Sequence, residues 1–215
     1  MRILFIAPLP PPIGGQSLVS QVLLDELVKK NQVDVVNMVK PEFKDGILSF
    51  TRIAKVFTML INIYQKQKRA EKIYLTISES VAGNIKDLII YSICFAKKEH
   101  VYLHLHGGSL KIYVFDRYPL LYSINRFFIR KFAGVIISGE SHKVIFDKME
   151  IQKKISIIPN FAKEELFENH NSVYDNFNNW GPIRLLYFSN MIPLKGLYIL
   201  LEAFEMLSKN DSNKF

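Results

Sequence analysis

The sequence predicts an α/β fold: a parallel β-sheet with helices on both faces. Three observations predict it. Short apolar runs recur along the chain at Arg2–Ala7, Val33–Met38, Lys72–Ile77, Val101–His106, Gly134–Ser138 and Ile155–Ile158. Segments with helical spacing separate most of these runs. The first run leads into a proline-rich loop closed by glycines, Pro8 to Gln16, and that loop opens a helix. No internal repeat interrupts the alternation.

The first strand, Arg2–Ala7, is apolar throughout after its arginine. The prolines Pro8, Pro10, Pro11 and Pro12 stiffen the connection that follows, because each fixes φ and removes a donor. Gly14 and Gly15 are expected to allow positive φ and a close ligand approach. The helix from Ser17 to Leu27 then points free N–H groups at the same space. Ligands of open α/β sheets bind at the carboxyl ends of the strands, where this loop lies. An anionic group such as a phosphate suits it. A tight turn without a ligand is the alternative, since neither a G-x-G-x-x-G nor a P-loop motif is present.

The second strand, Val33–Met38, precedes a helix predicted from Phe50 to Arg69. Thr51, Lys55, Thr58, Asn62, Gln65 and Arg69 form its polar stripe, and the apolar remainder is wider than one core contact requires. No acid lies in that stretch. The segment Arg117–Lys131 likewise mixes aromatics and cations without an acid. Both patterns fit a surface resting on anionic lipid, or two buried helices with solvated basic edges. Asn169 to Gly181 is polar and Asn-rich and reads as a linker. A strand at Ile183–Phe188, a loop to Lys195 and a helix at Gly196–Leu207 follow it.

Bulk properties bound the function. The 215 residues suit one domain plus part of another. With 49% hydrophobic residues the chain can fill a core. The net charge of +8 and pI near 9.4 call for an anionic partner. Nucleic acid is the weakest such partner, because no zinc-finger or RNP-like spacing occurs. The single cysteine, Cys94, sits in an apolar run and reads as a buried thiol. It cannot form an internal disulfide, which favours a reducing cytoplasm. A strand starting at Arg2 leaves no room for a signal peptide. No apolar run reaches the ~18 residues of a spanning helix.

Four segments together resemble family 4 glycosyltransferases of the GT-B fold. These are Met1–Gln16, Leu103-His104-Leu105-His106-Gly107-Gly108, Ile157-Ile158-Pro159-Asn160-Phe161, and Leu185 to Gly196 running into Leu200-Leu201-Glu202-Ala203-Phe204. The resemblance implies a Rossmann-like N-terminal, acceptor-side domain over residues 1–168. A linker over 169–182 and the incomplete start of a nucleotide-sugar-binding domain over 183–215 would follow. It implies sugar transfer from a nucleotide-diphosphate donor to a cell-surface polysaccharide or lipid-linked saccharide acceptor. No metal or other cofactor is required. His106 takes the catalytic position facing the reacting sugar. Gly14, Gly15, Gln16, Gly107, Asn160, Asn190 and Lys195 take donor- or acceptor-binding positions.

Two departures stand out. Ser189-Asn190 occupies the place of the family's Gly-Arg, so the donor diphosphate loses a cation. Phe161 replaces the glycine of the family's I-P-N-G segment. His104 and His106 share a strand face and would begin a metal site, but a convincing third ligand is missing.

The implied setting is the cytoplasm, with peripheral contact at the inner face of the cell membrane. Since each GT-B domain supplies one wall of the cleft, the 215-residue chain alone is expected to transfer little sugar. A non-catalytic acceptor-side module that pairs with a complementary donor-domain chain is the alternative. A nucleotide-binding α/β protein without sugar chemistry is the third reading.

Overall fold

A computed structural model describes residues 1–38, 50–161, 186–187 and 196–210. The chain divides into two units, residues 1–161 and 162–215.

The first unit is a six-stranded sheet, every pairing parallel. Its strands are β1 (Arg2–Ala7), β2 (Gln32–Asn37), β3 (Lys72–Thr76), β4 (Val101–Leu105), β5 (Gly134–Ile137) and β6 (Ile155–Ile157). They lie in the order β2-β1-β3-β4-β5-β6. The chain steps from β1 outward to β2, crosses back over β1 to β3, and then proceeds in one direction. The order therefore reverses between β1 and β3, which is the switch point where open α/β sheets form a crevice. The six strands that the sequence predicts within residues 1–161 are all present, with ends moved by a residue or so.

The helices of this unit are α1 (Gly15–Val28), α2 (Phe50–Gln67), α3 (Val81–Cys94) and α4 (Pro119–Ile129). Alternation along the strands sends side chains to two cores. Phe5, Ala7 and Tyr74 meet Leu24 of α1 on one face. Leu4, Ile6, Ile73, Leu75, Leu103 and Leu105 meet Ile63 of α2, Ile90 and Tyr91 of α3 and Ile129 of α4 on the other. So α1 covers one face, and α2, α3 and α4 form a layer on the opposite face, as right-handed crossovers require. Cys94 lies in the larger core, where burial raises its thiol to about 12.

Local chemistry fixes the helix ends. The Ser80 side chain accepts the Gly83 N–H at 3.2 Å and caps α3. Pro119 opens α4, a position where the missing N–H costs nothing. Asn84 and Asn125 exchange buried hydrogen bonds of 3.2 and 2.8 Å and tie α3 to α4.

In the second unit, α5 spans Leu197–Asn210. Gly196 precedes it at φ +79°, a left-handed conformation that favours glycine. The sequence places this helix at Gly196–Leu207, one residue early at its start. The linker, the strand at Ile183–Phe188 apart from residues 186 and 187, and the loop to Lys195 lie outside the described residues.

Candidate functional site

The carboxyl edge of the sheet gathers the loops after β1, β3, β4 and β5. The β1 loop is held from both sides. Asn37, at the end of β2, accepts the Leu9 N–H at 3.0 Å. Ser17 accepts the Gly14 N–H at 2.9 Å, and its hydroxyl lies 2.9 Å from the Pro12 carbonyl and 3.0 Å from that of Gly14. One buried serine thus pins the loop to the first turn of α1.

Gly14 and Gly15 are exposed and Gln16 is half-buried. The expectation of positive φ at the glycines is corrected. Gly14 is extended, with φ −157°, because it caps α1; Gly15 is already the first helical residue. A Cβ on Gly15 would meet nothing within 4 Å, so open space lies in front of it.

The β3 loop is anchored from beneath. Asp87, fully buried on α3, accepts the Ser78 N–H at 2.6 Å and pairs with Lys86 at 2.7 Å. Burial still raises its carboxyl above the ordinary range, against the pull of Lys86 and Ser78. The next residue, Glu79, reaches across to the β4 loop and accepts the Ser109 N–H at 2.5 Å. A Cβ at Gly107 would land on the Glu79 carboxylate. Gly107 therefore has a packing reason of its own.

His104 and His106 project from one face of β4, as their spacing predicts. Their rings are 3.8 Å apart between centroids and tilted by 31°. The Tyr74 hydroxyl lies 2.6 Å from His104 Nδ1. Burial raises the Tyr74 phenol, so it keeps its proton and donates it. His104 Nδ1 then accepts, and the ring's own hydrogen sits on Nε2. Burial lowers His106 to about 4. Burial, and then repulsion from His106, lowers His104 to about 3. Both imidazoles are neutral at pH 7.

The two differ in one respect. Both ring nitrogens of His106 are shielded and make no hydrogen bond within the protein. An unsatisfied buried polar group costs about 1–3 kcal/mol and calls for an explanation. Thr76, opposite His104 in the sheet register, and Ser20, on the inner face of α1, also bury unpaired hydroxyls. His142, after β5, has an unpaired Nδ1 and lies beside Gly108. This polar interior lies at the carboxyl half of the face that α1 covers. Among the described residues no three His, Cys, Asp or Glu side chains are grouped to hold a metal ion.

His106 and the Gly14–Gly15 loop open on the same edge. Two strand spacings, about 10 Å, separate β1 from β4. Asn160 is exposed beyond β6, two strands past β4 on the far side, and does not join them. Asn190 and Lys195 lie outside the described residues. Sequence reasoning missed Tyr74, Glu79 and His142. A Ser-Glu pair directly after a predicted strand was the one available signal, at Ser78-Glu79.

No family model matches the chain, and no curated protein matches it.

Proposed function

We propose that residues 1–161 form the acceptor-side half of a glycosyltransferase that uses a nucleotide-diphosphate sugar. The observation that carries this reading is His106: a neutral imidazole at the end of β4, one strand from the switch point, with both nitrogens unpaired. In sugar transfer the acceptor hydroxyl oxygen bonds to the anomeric carbon, and the bond from that carbon to the diphosphate breaks. The hydroxyl proton must leave. The neutral His106 imidazole accepts it once acceptor binding uncovers a ring nitrogen, since both are shielded in the free chain. The departing diphosphate needs positive potential, which the N-terminus of α1 behind Gly14 and Gly15 supplies. Gln16 and Gly107 lie in the loops after β1 and β4 on the same sheet edge. Asn190 and Lys195 keep the donor-side roles that the family resemblance implies, and Asn160, beyond β6, stands apart from this site.

The test titrates the protein with saccharides, lipid-linked saccharides and nucleotide sugars while the His106 ring is followed by NMR. A saccharide acceptor should shift the His106 signals. His106→Ala should abolish saccharide binding while circular dichroism shows the fold retained. A response to free mononucleotides alone, with none to any saccharide, would favour a nucleotide-binding protein without sugar chemistry and would sink this reading.

A further inference from the structure

The helical layer opposite α1 has an outer surface that the acceptor-side reading does not use. Helix α2 packs on α3, and α3 packs on α4. Tyr91 of α3 meets Phe128 of α4 with ring centroids 5.8 Å apart. Each helix also turns apolar side chains outward. On α2 these are Phe57, Ile61 and Tyr64, a stripe at i, i+4 and i+7, with Phe57 65% exposed. On α3 they are Ile85 and Ile89; on α4, Phe127 is 51% exposed. Scattered exposed apolar residues need no explanation, but aligned stripes on adjoining helices do.

The charges of this layer are one-sided. Residues 50–69, 81–94 and 119–131 contain a single acid, Asp87, and it is fully buried beneath Lys86. Lys55, Lys68, Arg69 and Lys131 are exposed there. Beyond α4, Glu150 is already ion-paired with Arg126 at 3.4 Å and Arg130 at 2.8 Å. By contrast α1 exposes Asp25 and Glu26. Two lysines also sit over aromatic rings at the ends of the stripes. Lys68 Nζ is 4.4 Å from the Tyr64 ring centre, and Lys131 Nζ is 5.1 Å from that of Phe127. Aromatic rings with a cation alongside match the headgroup level of a bilayer, apolar on one side and anionic on the other. Among the described residues no helix is long and apolar enough to cross a membrane.

We infer that the outer face of α2, α3 and α4 docks on an anionic lipid bilayer, with Phe57, Ile61, Tyr64, Ile89 and Phe127 entering the interface and Lys68, Arg69 and Lys131 meeting phosphates. This binding is independent of any sugar chemistry at the sheet edge.

The test is co-sedimentation with phosphatidylcholine vesicles, with and without phosphatidylglycerol. The protein pellets with the anionic vesicles only and is released by salt, since surface attraction is screened within about 8 Å at physiological ionic strength. Lys68→Ala/Arg69→Ala weakens binding about 30-fold, at about fivefold for each cation removed. Phe57→Glu/Phe127→Glu abolishes binding while circular dichroism is unchanged, both side chains being exposed. Lys30→Glu, on the acidic α1 side, binds almost as the parent does. Equal binding to neutral vesicles overturns the inference, as does indifference to all these variants. A dimer that Phe57→Glu/Phe127→Glu dissociates, with no vesicle binding by the parent, also overturns it and assigns the face to a second copy of the chain.

Discussion

At the scale of single residues, the histidine pair makes stability depend on pH. His104 is almost fully buried and its folded-state value is lowered to about 3 from an unfolded 6.5. The folded state thus binds fewer protons than the unfolded one. The sign follows: stability is complete above pH 6.5 and is lost as pH falls from there toward the folded value. Each such histidine contributes a slope of about 1.4 kcal/mol per pH unit in that window. Asp87, whose carboxyl burial raises from 3.8, works in the opposite sense above pH 3.8 and offsets part of that loss. We predict a thermal midpoint that drops between pH 7 and pH 5, and a clearly shallower drop in His104→Gln. The slope is the informative quantity, because the substitution also lowers the midpoint by breaking the Tyr74 contact. An identical slope in both proteins would exclude His104 as its source. The sequence placed both histidines on one face, since period two demands it. It did not disclose Tyr74, which lies 30 positions earlier and meets His104 only through the pairing of β3 with β4.

At the scale of elements, what was legible is what local chemistry dictates. Apolar runs gave the strands, and the proline-rich loop marked the start of α1. The left-handed backbone expected at Gly14 and Gly15 did not follow, because a helix N-cap is satisfied by extended backbone. The clasp between the β3 and β4 loops was illegible for a different reason. It joins Glu79 to Ser109, neighbours only once the sheet has formed. A double-mutant cycle tests this clasp. Gly107→Ala puts a methyl group where the Glu79 carboxylate lies, so the carboxylate must swing off the Ser109 N–H. A hydrogen bond to a charged group contributes about 1.5–3 kcal/mol. Gly107→Ala should therefore lower the urea unfolding free energy by roughly that amount. In a Glu79→Ala background it should cost far less, because the clash and the bond are both gone. Additive costs would mean that Gly107 is constrained by something other than Glu79.

At the scale of the whole molecule, the charge asymmetry and the switch point come from one cause, the order in which the chain lays down its strands. Crossing back over β1 sends α2, α3 and α4 to one face and leaves α1 on the other, so a basic stretch at 50–69 and another at 117–131 end on the same side. Composition revealed the basic stretches, but only the topology brings them together. The same topology gathers the described core within the first unit. Among the described residues, every buried apolar side chain lies between Ile3 and Ile151. A core of that extent is large enough for a domain to fold alone. We predict that a fragment of residues 1–161 folds cooperatively, with far-ultraviolet dichroism that retains the helices α1 to α4. Its thermal midpoint should lie within a few degrees of the full chain's, because removing residues 162–215 deletes none of those core side chains. At roughly 2–8 °C per kcal/mol for domains of this size range, a fall of more than about 10 °C would mean that the second unit contributes more than about 1 kcal/mol to the first. A broad, non-cooperative transition would show that residues 1–161 do not form an independent folding unit.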